Sequence, residues 1–245
     1  MADKQVEVVR TLVSAAIFSR AVIDAWWGVR GGGEDDAPKG AVALLYAHYM
    51  LETGGLNCYG WNIGNVKYTI GCGYDYHCLH GVWEGVSAGE AKRLVSSGEA
   101  AIDSNLSHQQ SCAPNISVVF NPPHPATRFR AFPDLEDAMD DHLVMLCKKR
   151  YASAWPSVLS GDVMTFAQAL KARGYMTASA KSYGDGMTPP FKHFMASQEY
   201  EAALAGSKRD SALASGKQDV TEPVYEFSGG IIHPQVEFEP YNSDE

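Results

Sequence analysis

Apolar residues recur every three or four positions along much of this chain, the spacing of helices that bury one face. Residues 3–27 carry Val6, Val9, Val13, Ala16, Ile17, Val22, Ile23, Trp26 and Trp27 in that rhythm and predict a first helix. "GVRGGGEDDAPKG" then reads as a loop rich in glycine and acid. Pro38 predicts entry into a second helix, because its missing N–H costs nothing in a first turn. That helix runs to Thr53, where Gly54 and Gly55 stop it. From Asn57 to Gly85 the period dissolves into Gly, Asn, Cys and aromatic residues, which predicts a small irregular β lobe with a hairpin. "SAGEAKRLVSSGEAAIDSN" returns to helix, opened by Ser87 and Glu90 as a capping box. Residues 107–125 hold four prolines and predict a long loop or a short strand, and "RFRAF" is a brief extended piece.

"PDLEDAMDDHLVMLCKKR" is an amphipathic helix with Leu135, Ala138, Met139, His142, Leu143 and Leu146 on one side. Lys148, Lys149 and Arg150 suit its negative end. A short helix in "YASAWPSVL" follows, then one capped by Asp162 and ended by Gly174, then a last helix in "PPFKHFMASQEYEAAL". Beyond Gly206 the helical period fades into an acidic stretch. The expected organisation is a domain over residues 1–206 and an extended tail over 207–245. The fold class is mainly α (α+β), with the β lobe inserted after the second helix.

Composition narrows the function classes. With 245 residues and 45% hydrophobic content, the chain can bury one sizeable core. A net charge of −9 repels phosphate, so nucleic acid is not an expected partner. No run of about 18 apolar residues predicts a membrane span. "MADKQVEVVRTLV" lacks the apolar core of a secretory signal, so the chain is expected to be made in the cytoplasm and delivered in a larger assembly or by lysis. The cysteines are Cys58, Cys72, Cys78, Cys112 and Cys147, an odd number that leaves at least one unpaired. Cys147, in a helical pattern, is expected to be a buried thiol. Cys72 and Cys78 flank "GYDYH", which a disulfide could close as a hairpin; a reduced set of thiols fits equally. His77 and His80 lie close by, but His77 and Cys78 would point apart in a strand and no CxxC pair occurs. No metal and no other cofactor is expected.

The second helix ends in an unusual residue. At about 100° per residue, Leu45, His48 and Glu52 fall within about 40° of Ala41 on one face. A carboxylate on an apolar face is costly to bury. Desolvation and the negative end of the helix both favour its protonated form. A carboxylic acid that keeps its proton near neutrality is what general-acid catalysis uses. The alternative is a glutamate at a fraying helix end, paired with a nearby cation. Downstream lie Tyr59, Trp61, Tyr68, Tyr74, Tyr76 and Trp83, with Asn62 and Asn65 among them. Such a cluster either lines a sugar-binding cleft, aromatic faces against sugar rings, or forms the core of the small lobe.

These residues also carry a family resemblance. "ALLYAHYMLETGG" with "WNIGNVK" resembles the catalytic segment of bacterial glucosaminidases and related lysozyme-like peptidoglycan hydrolases (glycoside hydrolase family 73). The matching positions are Glu52, Thr53, Gly54, Asn62, Gly64, Asn65 and Lys67. "FRAFPDLEDAMDDHLVML" resembles the family's strand leading into a helix, and "FAQALKARGYMTASAKSY" its segment with an active-site tyrosine, here Tyr175. The resemblance spans roughly residues 38–196. Ala178 stands where many members have Asp, and no motif fixes the second acid, for which Glu84 and Asp75 are the candidates.

The resemblance implies a lysozyme-like domain with a cleft between helices and β lobe. It implies cleavage of β-1,4 bonds between N-acetylglucosamine and N-acetylmuramic acid in peptidoglycan. Glu52 would protonate the leaving oxygen, and Glu84 or Asp75 would activate water or stabilise the oxocarbenium-like state. Tyr175 would position the N-acetyl group or stabilise charge. Trp61, Asn62, Asn65, Lys67, Tyr68 and Thr177 would contact substrate. Inverting, substrate-assisted and lytic outcomes all remain open. The alternative role is a non-catalytic structural or wall-binding subunit. In either role residues 207–245 are expected to engage virion or injection-machine proteins, with "VYEF" or "VEFEP" adding an edge strand.

Overall fold

The computed structural model describes residues 4–30, 37–55, 57–176 and 178–207. The expectations for Thr177 and for the tail from residue 208 onward lie outside the described residues. The spine is helix α2 (Lys39–Thr53), in which Ala41 to Tyr49, Glu52 and Thr53 are all buried. A helix apolar on every side belongs at the centre of a core. Around it stand α1 (Ala15–Arg30), α5 (Leu135–Lys148), α6 (Trp155–Ser160), α7 (Val163–Ala172), α8 (Ala180–Ala196) and α9 (Glu199–Ser207). Helix α8 packs along α2 and α7, while α1 packs on α5 and α9. Phe18 stacks on Tyr49 at 5.1 Å, and Trp26 meets Trp155 at 5.1 Å.

The β lobe contains β1 (Asp75–Cys78), β2 (Trp83–Val86), α3 (Ala88–Ser96), β3 (Ala100–Ile102), α4 (Leu106–Cys112), β4 (Ile116–Phe120) and β5 (Arg128–Ala131). Strand β1 pairs antiparallel with β5, Tyr76 opposite Arg130. Strand β4 lies between β2 and β3, with Glu84 opposite Val118 and Ala101 opposite Val119. Leu94, Val118, Phe120 and Ala126 contribute to a second, smaller core. The fold is mainly α with a small β lobe, as the periodicity predicts.

Several local expectations are corrected. The first helix begins at Ala15, and residues before it are extended. Val6 N–H donates to Tyr76 O at 2.8 Å and Gly60 N–H to Val9 O at 2.8 Å. The β-branched run around Val6, Val8 and Val9 suits this ladder better than a helix. The stretch 57–85 holds no local hairpin, since β1 and β2 each pair with strands far along the chain. Ser87 caps α3, its hydroxyl accepting from Glu90 N–H at 3.3 Å, but Gly98 with φ +74° ends the helix and β3 follows. Residues 107–125 include most of α4 and all of β4. Pro189 and Pro190 lie inside α8, which starts nine residues before the first of them. The helix survives two missing N–H groups because its Tyr183, Gly184, Met187 and Pro190 are buried, and α9 is separate. All five cysteines are free thiols, and Cys147 is half-buried rather than buried.

Candidate active site

Glu52 occupies the last turn of α2. Gly54 caps the helix in the left-handed region at φ +59°, which lets the chain turn sharply there. The turn then returns to the helix end: the Asn65 side-chain amide donates to the Glu52 carbonyl. Asn65 itself has φ +47°, a conformation asparagine tolerates better than most residues. Glu52, Thr53, Asn57 and Asn65 line one side of a cleft of about 430 Å³. Cys78, Leu79, His80, Gly81 and Val82 supply its β-lobe side, and Val8 and Tyr59 complete it.

The Glu52 side chain is 1% exposed. The Tyr183 hydroxyl donates to Oε1. Oε2 has no hydrogen-bond partner among the described residues. No lysine or arginine pairs with this carboxyl among the described residues; the ionisable group nearest to an ion-pair position is His48, with Nε2 3.6 Å from Oε1. Burial pushes the carboxyl up to about 8, against a smaller downward pull from Tyr183. Glu52 is therefore largely protonated at neutral pH. The company of this acid is neutral throughout. Burial drives His48 down to about 3, and it does the same to His142, 5.3 Å away ring to ring. Burial and then the Glu52 charge hold the phenols of Tyr175 and Tyr183 well above their ordinary value.

The residues expected at the site divide into three groups. Asn65 lines the cleft with Glu52. Tyr175 is buried near Glu52, its ring 5.3 Å from His48, but its hydroxyl donates to the Gly64 carbonyl at 3.0 Å. The remaining described residues are not among those lining the cleft. Asn62 is buried, donating to the Val66 and Arg130 carbonyls at 2.9 and 3.0 Å and accepting from Val66 N–H at 2.8 Å. Lys67 is buried, donating to the Ala126 carbonyl and lying 4.2 Å over the Phe129 ring. Its Nζ is 3.4 Å from Glu84 Oε1. Tyr68 is buried and stacks on Tyr76 at 4.4 Å. Trp61 is half-buried against the main core. Asp75 accepts from Lys4 N–H at 3.2 Å. Among the described cleft-lining residues Glu52 is the one carboxylate, and neither Glu84 nor Asp75 joins it there.

Of the aromatic cluster named from the sequence, Tyr59 lines the cleft; sequence reasoning missed Tyr183 and the pairing of His48 with His142. Tyr183 was hidden because a helix read as starting at Pro189 leaves it outside any element. The i, i+4 spacing of His48 and Glu52 was visible, but the approach of His142 from α5 is tertiary.

No protein-family model matches the chain, and no curated protein matches it. Among solved structures, a peptidoglycan hydrolase from Sphingomonas sp. A1 overlays with a TM-score of 0.40 at 19% identity, covering 78% of this chain and 97% of that one. The glycoside hydrolase domain of Salmonella typhimurium FlgJ overlays with a TM-score of 0.39 at 17% identity, covering 79% and 99%. These overlays are loose.

Proposed function

We propose that the cleft is the active site of a glycosidase that cleaves the β-1,4 bond between N-acetylglucosamine and N-acetylmuramic acid in peptidoglycan, with Glu52 as general acid. One observation carries the reading: a buried carboxyl with no cationic partner among the described residues, pushed up to about 8 by that burial, borders an open cleft. Glu52 gives its proton to the glycosidic oxygen as the bond to the anomeric carbon breaks. The carboxylate left behind accepts the Tyr183 hydroxyl, a charge-assisted bond stronger than the one made to the neutral acid. With one carboxylate among the described cleft residues, the other half of the displacement falls to the substrate's own N-acetyl group, as in substrate-assisted glycosidases.

The test is Glu52→Gln assayed on purified peptidoglycan. The amide keeps the shape and removes the donated proton, so release of reducing ends falls by about 10²–10⁴ while the circular dichroism spectrum is unchanged. Near-normal turnover would remove Glu52 from the mechanism. The second reading, a non-catalytic wall-binding subunit, is favoured by the same lack of a second carboxylate among the described cleft residues. It predicts that the unaltered chain binds wall without releasing reducing ends.

A further inference from the structure

Four side-chain atoms in the buried cluster around Glu52 have no hydrogen-bond partner among the described residues. They are Glu52 Oε2, both ring nitrogens of His48, and His142 Nδ1. His48 and Glu52 are at most 1% exposed and His142 is 4% exposed. A buried polar atom left unpaired is destabilising, so three orphaned ring nitrogens in one place call for an explanation. The two imidazoles come from different elements, His48 from α2 and His142 from α5, and their rings are 5.3 Å apart. Gly64 makes the approach possible: a Cβ there would lie 3.0 Å from His142 Cε1 and Nδ1.

We infer that His48 is a positioning residue for Glu52: its Nε2–H closes on Glu52 Oε1 as the carboxyl gives up its proton. The inference rests on the glycosidase reading above. At 3.6 Å the contact is too long for a hydrogen bond in the unliganded cleft. Catalytic contacts of this kind tighten when substrate binds. A neutral imidazole carries a single N–H, so donation to the carboxyl requires the tautomer with that proton on Nε2. Both rings are buried deeply enough to stay neutral, so His48 offers a dipole and no charge. A cation in its place would ionise Glu52 and end its use as an acid.

Other described side chains face the pair. Tyr183 from α8 donates to the same Oε1, and Tyr175 packs on the His48 ring at 5.3 Å. Phe166 from α7 meets it edge-on at 5.2 Å. Asp141 acts on His142 by charge but is held by Arg130 at 2.7 Å and Lys149 at 3.6 Å. Tyr151 stands against Tyr175 at 5.1 Å and feels the Glu52 charge.

The experiment has two arms on the full chain. Long-range ¹H–¹⁵N correlation of histidine-labelled protein between pH 5 and 8 reads the tautomers directly. The expected result is two neutral rings with the His48 proton on Nε2. A proton on His48 Nδ1 with Nε2 bare, or an imidazolium, overturns the inference, and this arm needs no activity. In the second arm His48→Leu lowers kcat on purified peptidoglycan by about tenfold or more with KM unchanged, because the lost bond forms only as charge develops. His48→Gln keeps an N–H donor at similar reach and recovers kcat to within about threefold of the unaltered chain. A His48→Leu variant with full kcat, or a His48→Gln variant as poor as His48→Leu, overturns it. If the unaltered chain cleaves no wall, the glycosidase reading fails, and the tautomer still decides the contact.

Discussion

Glu52 in the helical half is buried and Glu84 in the β lobe half-buried, and they keep opposite electrostatic company. Burial pushes the Glu84 carboxyl above its ordinary value, and Lys67, its Nζ 3.4 Å away, pulls it back only part of the way. Lys67 is in turn held by the Ala126 carbonyl and the Phe129 ring. Around Glu52 stand two phenols and a neutral imidazole. Burial alone does not make an acid catalyst. Burial without a counter-charge, beside a cleft, adds the protonated state that a general acid requires. The β lobe uses its buried charges to hold strands together, whereas the helical half leaves one carboxyl uncompensated and bears the cost in stability.

That cost gives the largest expected effect. The folded-state pKa of Glu52 is raised from 4.5 to about 8. A carboxyl raised in this way favours the folded state while protonated. The benefit is full below pH 4.5 and is lost as pH rises to about 8 and beyond. Glu52→Gln cannot ionise, so it is more stable than the unaltered chain at pH 9, by up to about 5 kcal/mol, with the gap closing toward pH 4.5. Urea unfolding at pH 5 and pH 9 reads this difference. Parallel stabilities at both values would erase the contrast between the two carboxyls.

The next effect runs the other way. Lys67→Met strips Glu84 of its cation and costs about 2–3 kcal/mol, the low end for a broken buried pair because Glu84 keeps some access to water. Glu84→Gln costs less, about 1 kcal/mol, and recovers at least half of the Lys67→Met loss when the two are combined. Additive losses in the double variant would show that Lys67 acts through the Ala126 carbonyl and Phe129 and that Glu84 is not its charge partner.

Much of the helical half is legible in the sequence, because it obeys local rules. The face shared by Ala41, Leu45, His48 and Glu52, the stop at Gly54, and the caps at Ser87 and Asp162 each follow from spacing and chain chemistry. The β lobe is legible only as a region. Its strands pair across long separations, β1 with β5 and β2 with β4, and nothing local encodes those partners. The same limit explains the site. Glu52 is visible as an acid on an apolar face. Asn62 and Lys67 look like ligand-binding residues because they are polar and sit in a glycine-rich turn, yet their polar atoms meet backbone carbonyls and Glu84 contributed from elsewhere in the chain. Tyr183 and His142 reach Glu52 and His48 only through the packing of α8 and α5.

The proposed chemistry of the cleft turns on the protonation state of one side chain. Titration of the ¹³C carboxyl resonances of glutamate-labelled protein, with Glu52→Gln supplying the assignment, reads it directly. The account predicts a midpoint near 8 for Glu52. A midpoint near 4.5, the ordinary value for a glutamate, would contradict it.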